Sequence, residues 1–188
     1  LAGEARAQGQ ELDPGRHHQY APAPRGDDRA VPGHWEADPI IGGDSSSALI
    51  TLVERTSRFV LISRLADNHR TRTVTDALKS MVDSLPRAVY STITWDQGAE
   101  MADHAAFTLA TDIKVYFADP HSPWQRPTNE NTNGLIREYF PKGTDFNNVT
   151  DAQVRAVQDR LNRRPREVLN GQTPTEILDT IINGATTT

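Results

Sequence analysis

Between His34 and Leu65 the chain carries three short β-rich runs, Trp35–Ile41, Ala48–Glu54 and Arg58–Leu65, separated by Gly42-Gly43-Asp44-Ser45 and by Thr56-Ser57. This spacing predicts a three-stranded antiparallel meander, and the second turn, a residue or two long, predicts a tight hairpin. The period then changes. Val74, Leu78, Met81, Val82 and Leu85 recur at helical spacing until Pro86 ends the stripe. Ser91–Trp95 reads as a fourth strand, Glu100–Thr111 as helix and Ile113–Phe117 as a fifth strand. A Pro- and Asn-rich connection, Asp119–Asn129, leads to a helical segment from Glu130 to Phe140, closed by Pro141 and Gly143. Capping-box pairs, Thr150 with Gln153 and Thr173 with Glu176, open two more helices that should buttress the sheet. The predicted order is βββαβαβα: an α/β fold whose mixed sheet has three antiparallel strands, then alternating helix and strand, flanked by helices.

The 188 residues suffice for one domain with a real core. Residues 1–32 mix Gly, Pro, Ala, Arg and Asp without apolar periodicity and are expected to form a flexible arm before a core of residues 33–188. His17 and His18 fall in that arm with no partner ligand at strand or helix spacing, so no role is assigned to them. The first residue is Leu1 rather than Met, which suggests a fragment or excised domain. The absence of cysteine excludes disulfides and thiolate metal sites and favours hard ions held by oxygen. No apolar run approaches the ~20 residues of a membrane span, and the amino-terminal stretch lacks a signal-peptide core, so no membrane partner and a cytoplasmic location are expected.

Chemistry is decided by the acids. Asp38 interrupts the apolar run HWEADPII, where a buried charge would cost several kcal/mol without a metal or a partner; the plainer alternative is a turn before Pro39. Asp96 ends the fourth strand in TWDQG, a position equally open to an ordinary turn residue. Glu130 opens a helix in TNENTNG, where an acid also complements the helix dipole. If the first and fourth strands are neighbours, the three carboxylates can converge. Such a set suits in-line displacement at a phosphodiester, which calls for two metal ions ~4 Å apart flanked by carboxylates.

Other residues suit DNA contacts. Arg137 lies two helical turns beyond Glu130 and should share its face. Arg126, Asn129, Asn131 and Lys142 are of types that commonly bond the phosphate backbone, and Trp124 could stack on an unpaired base or belong to the core. Arg163-Arg164-Pro165-Arg166 reads either as a phosphate clamp or as a solvated helix end. A net charge of −5 opposes binding through bulk positive charge. The distribution softens this: Lys plus Arg against Asp plus Glu is 12 to 17 over residues 1–119 but 8 to 5 over residues 120–166.

The stretches GHWEADPIIG, TLVERTSRFV, ITWDQGAEM, VYFADPHSPWQRPTNENTNGLIREYFPKGTDF and LNRRPREVLNGQTPTEIL, spread over most of residues 33–178, resemble transposases of the IS-thirty family of bacterial insertion sequences. The 33 residues between Asp96 and Glu130 agree with the DDE pattern those enzymes share with retroviral integrases. The resemblance implies a ribonuclease-H-like catalytic core with Asp38, Asp96 and Glu130 as the metal-binding triad. It further implies two Mg²⁺ or Mn²⁺ ions, DNA as partner (transposon ends and target), a homo-oligomer on DNA, and Arg137 close to the cleaved end. Three departures stand out: Ala37 and Pro39 where Gly and an aliphatic residue are expected around the first acid, and Pro127 where Gly is expected before Glu130. Proline removes a ladder hydrogen bond from what should be an interior strand, so both prolines bear on where the carboxylates sit. Family members also carry an amino-terminal helix-turn-helix, of which residues 1–32 show no pattern. Two rival readings follow: a hydrolysis-only nuclease of the same fold, and a catalytically silent DNA-binding remnant.

Overall fold

The computed structural model describes residues 31–43, 47–65, 71–95, 104–117 and 127–185. Its strands are β1 (His34–Ile41), β2 (Ala48–Glu54), β3 (Val60–Leu65), β4 (Thr92–Trp95) and β5 (Lys114–Phe117); its helices are α1 (Thr71–Val82), α2 (His104–Thr111), α3 (Pro127–Arg137), α4 (Asp151–Asn162) and α5 (Pro174–Ala185). The strand order is β3-β2-β1-β4-β5. The first three strands pair antiparallel, while β4 joins β1, and β5 joins β4, in parallel. The expected meander and the neighbouring of first and fourth strands are therefore both present. The amino-terminal arm assigned to residues 1–32 falls almost wholly outside the described residues.

Strand alternation divides the core into two layers. Trp35, Ala37, Ile50, Leu52, Ile93 and Trp95 face one side, with Val74, Leu78 and Met81 of α1 and Phe107 of α2. Ile40, Leu49, Val53, Val60 and Ile62 face the other, with Ile136 of α3 and Val154, Val157 and Leu161 of α4. Helices on both faces explain why every residue of β2 is buried. Among the described residues, no helix is long and apolar enough to cross a membrane.

Both predicted capping boxes form. Thr150 Oγ1 accepts from Gln153 N while Gln153 Oε1 accepts from Thr150 N, and Thr173 and Glu176 reciprocate in the same way. The tight β2–β3 hairpin does not form: five residues, Arg55–Phe59, separate the strands, and β3 begins at Val60 rather than Arg58. The cause is Glu54, whose buried carboxylate accepts from Thr56 N (3.0 Å), Ser57 N (2.5 Å) and Ser57 Oγ (2.7 Å) and so folds the chain into a wider loop. Arg58 closes that loop with φ 62°.

The two prolines fall at different kinds of position. Among the described residues, pairing between β1 and β4 runs from His34↔Thr92 to Ala37↔Trp95, and Pro39 lies beyond it, opposite Ile50 of β2. Pro127 is the first residue of α3, the helical position proline favours. The helix accordingly starts three residues earlier than Glu130 and ends at Arg137 rather than Phe140.

Candidate active site

Period-two alternation puts Glu36, Asp38 and Ile40 on the same face of β1, and the antiparallel register sets Thr51 of β2 opposite Asp38. On that face α3 runs alongside β1. Asn129 N donates to Glu36 Oε2 (3.0 Å), Asn133 Nδ2 donates to Asp38 Oδ2 (2.7 Å), and Arg137 Nη2 donates to the Ile41 carbonyl (3.0 Å). Ascending positions on the helix meet ascending positions on the strand, so the two elements run in the same direction. The lengths match: four helical residues rise about 6 Å and two strand residues about 6.6 Å.

Thr51 lies at the centre of this seam. Its Oγ1 donates to the Asp38 carbonyl (3.1 Å) and sits 3.5 Å from both Asn129 Oδ1 and Asn133 Oδ1. Asp38 itself is half-buried. Glu36 is fully buried, and Arg55 Nε lies 3.2 Å from its Oε1 as an ion pair that is not aligned as a hydrogen bond. Burial pushes the Glu36 carboxyl above its ordinary range, against the opposing pull of the Asn129 amide, Arg55, Arg58 and the Thr128 hydroxyl. Arg58 Nη1 donates to Thr128 Oγ1 (2.5 Å), closing the polar cluster around the first turn of α3.

The residues singled out in the sequence separate into four groups. Asp38 and Glu130 occupy adjoining elements, Asp38 on β1 and Glu130 exposed in the first turn of α3. Asn131 and Lys142 are exposed, and Arg137 is partly so; Arg137 and Lys142 line a depression with Pro39, Ile41 and Asn133. Asn129 is 2% exposed, with its amide directed into the seam rather than to the surface. Asp96, Trp124 and Arg126 lie outside the described residues. Sequence reasoning overlooked Glu36, Thr51, Arg55 and Asn133. Signals were available for two of these: Glu36 stands two residues before Asp38 on a period-two strand, and Asn133 is four residues from Asn129 on a helix.

The loop after α3 is held beside this site by close backbone approach. Gly43 N donates to the Thr144 carbonyl (3.0 Å), and a Cβ on Gly43 would come within 2.4 Å of the Gly143 oxygen. Only glycine fits there.

The family described as Integrase core domain matches residues 28–123, just over half of the chain. The chain belongs to the integrase core domain family. This integrase core is 46% identical over 166 residues to the transposase for insertion sequence element IS1086 of Cupriavidus metallidurans, covering 87% of the chain and 48% of that relative. It is 47% identical over 153 residues to transposase InsI for insertion sequence element IS30A of Escherichia coli, covering 81% of the chain and 39% of the relative. These matches bear out the resemblance to IS-thirty transposases, and the chain spans about half or less of the length of these two relatives. Among solved structures, the catalytic core domain of BIV integrase aligns with a TM-score of 0.60 at 16% identity, over 78% of this chain and 94% of that one. A chain of the simian T-cell lymphotropic virus intasome with the PP2A regulatory subunit B56 gamma aligns with a TM-score of 0.62 at 18% identity, over 77% and 53%. The fold is thus ribonuclease-H-like, as expected.

Integrase cores in general imply a divalent metal ion. The donor set suits one: Asp38 and Glu130 offer hard oxygens, and Asn133 holds one Asp38 oxygen in place, as outer partners of metal-binding carboxylates do. Among the described residues no group of three His, Cys, Asp or Glu could hold a metal ion, and Asp96, the other acid expected to take part, is not among them.

Proposed function

We propose that this integrase core is the catalytic domain of an insertion-sequence transposase, cutting a phosphodiester at the element's end and joining the freed 3′-hydroxyl to target DNA. The observation that carries this reading is the parallel register of β1 and β4. Its last described pair is Ala37↔Trp95, and the next residues in sequence are Asp38 and Asp96. Glu130 stands on the helix tied alongside β1. In this reading Asp38, Asp96 and Glu130 hold two Mg²⁺ or Mn²⁺ ions. Bound there, the ions would supply activation of the attacking oxygen and stabilisation of the leaving oxygen in an in-line displacement.

The chain's own residues contribute position and charge. Asn133 orients the Asp38 carboxylate, and Thr51 fixes the Asp38 backbone. Arg137 and Lys142 border the depression beside Pro39 and Asn133, and they suit phosphate oxygens of a strand approaching Asp38. Asn131, exposed next to Glu130, suits the same role; Arg126 and Trp124 are further candidates, for a phosphate and an unpaired base. Asn129, being buried, serves the seam. Joining two element ends requires two such sites, so the protein acts as an oligomer on DNA, in the cytoplasm where that DNA lies.

Strand cleavage and joining on a branched DNA that mimics the transposition product tests this, with Mn²⁺ present and Asp96→Asn as comparison. Metal-dependent joined product that disappears in the variant is expected. Cleavage without joining would overturn the transposase reading in favour of a nuclease. Identical behaviour of both proteins would overturn the role of Asp96.

A further inference from the structure

We infer that Glu36 is a positioning residue: its buried carboxylate on β1 caps the amino terminus of α3 and thereby sets Glu130 against Asp38. The inference rests on the triad proposed above, because it explains how two of its members are held in relation to each other.

The first turn of a helix has N–H groups with no partner inside the helix, and an acid placed there both accepts a hydrogen bond and complements the dipole. Such caps ordinarily come from the residue just before the helix. Here Pro127 opens α3, and Asn129, its third residue, donates its N–H to Glu36, 93 positions away in sequence. Glu130 is the next residue of the same turn, so anchoring the Asn129 backbone anchors that of Glu130. Glu36 in turn stands two residues before Asp38 on one strand face, so a single carboxylate references both acids to one backbone.

The surroundings favour a positioning device over a simple ion pair. Arg55 is close but not aligned for a hydrogen bond, and Glu36 Oε1 and Arg55 Nε both lack hydrogen-bond partners among the described residues. The best-formed interaction of Glu36 is the one with the helix. Burying a carboxylate is expensive, and an apolar residue at this point would satisfy the core at lower cost. What it would not do is accept from the Asn129 amide. Asn133 on Asp38, one turn later, gives the second tether.

The test compares Glu36→Ala, which removes the acceptor, with Glu36→Gln, which keeps a carbonyl for the Asn129 amide and loses the charge. Three readouts are taken: amide hydrogen exchange at Asn129 and Glu130, Mn²⁺ affinity by calorimetry, and joining kinetics on the branched DNA. In Glu36→Ala, exchange at Asn129 should accelerate by at least about tenfold while α4 and α5 stay protected. Mn²⁺ should bind about tenfold more weakly, and kcat should fall about a hundredfold with KM for DNA within about twofold. Glu36→Gln should recover most of all three. Unchanged exchange and Mn²⁺ affinity in Glu36→Ala would overturn the inference. If Glu36→Ala does not fold, Glu36→Gln decides: lost Mn²⁺ affinity with a protected Asn129 amide would show that charge, not the cap, is what matters. A wild-type protein that neither binds Mn²⁺ nor joins DNA would sink the proposed function instead, and the exchange readout would still decide whether Glu36 anchors α3.

Discussion

At the scale of single residues, the site depends on how one carboxylate is held. Asn133 Nδ2 donates to Asp38 Oδ2 at 2.7 Å. Removing it with Asn133→Ala should weaken Mn²⁺ binding about tenfold, the usual cost of losing an outer partner. Calorimetry checks this, and unchanged affinity would mean that Asp38 is oriented by something else. A second residue-scale prediction concerns pH. The Thr173 amide and hydroxyl hold the exposed Glu176 carboxyl below its usual range. A depressed folded value means that the contribution to α5 is present above the unfolded value and is lost as pH falls through the folded one. An NMR titration of the Glu176 carboxyl should therefore show a midpoint below that of an unfolded peptide, and Thr173→Val, which keeps the amide donor and removes the hydroxyl, should raise it only part of the way. Asp38 and Glu130 could be singled out as candidates in the sequence because an acid in an apolar strand and an acid in an Asn-rich helix start both invite explanation. Glu36 was less so: it reads as one more charge until strand period is applied to it. The Asn cluster looked like one surface feature, yet helical geometry turns Asn129 and Asn133 inward and leaves Asn131 outside.

At the scale of elements, the helices are attached to the sheet by specific polar contacts as well as apolar burial. Asn162, buried at the end of α4, donates to the Val60 carbonyl (2.8 Å) and accepts from Val60 N (2.9 Å), completing the backbone of the outer strand β3. Asn162→Leu should leave both groups unpaired at about 1–3 kcal/mol each, measurable as a lower urea midpoint. Equal stability would show that β3 finds other partners. Gly43→Ala should also destabilise, by about 1–3 kcal/mol, because its Cβ would meet the Gly143 backbone and force the Lys142 loop away from β1. Most elements were readable from periodicity and capping chemistry. The turn between β2 and β3 was not, since a side-chain carboxylate, Glu54, organises it from within the strand. The start of α3 was misread because the polar stretch PTN hides a helix whose first turn is completed from another strand.

At the scale of the molecule, the central place of β1 gives the fold its functional logic. The antiparallel half of the sheet holds Asp38 from one side through Thr51, the parallel half sets Trp95 of β4 beside Ala37, and α3 runs alongside β1 carrying Glu130. The overall charge of −5 is unhelpful to DNA binding, but Arg137, Lys142, Arg155, Arg160 and Arg163 all belong to α3, α4 or the adjoining loops on the Glu36 face. Binding to duplex DNA should therefore weaken steeply with salt, log affinity falling by about 0.9 per phosphate neutralised against log salt concentration. Lys142→Ala should reduce that slope by about one; fluorescence anisotropy across a salt series checks it, and an unaltered slope would remove Lys142 from the interface. The most direct test of the whole account is diffraction from crystals grown with Mn²⁺, recorded at the manganese edge. Two anomalous peaks about 4 Å apart, bound by Asp38, Asp96 and Glu130, are predicted. An ordered site with no peak there, or with manganese held by other residues, would contradict it.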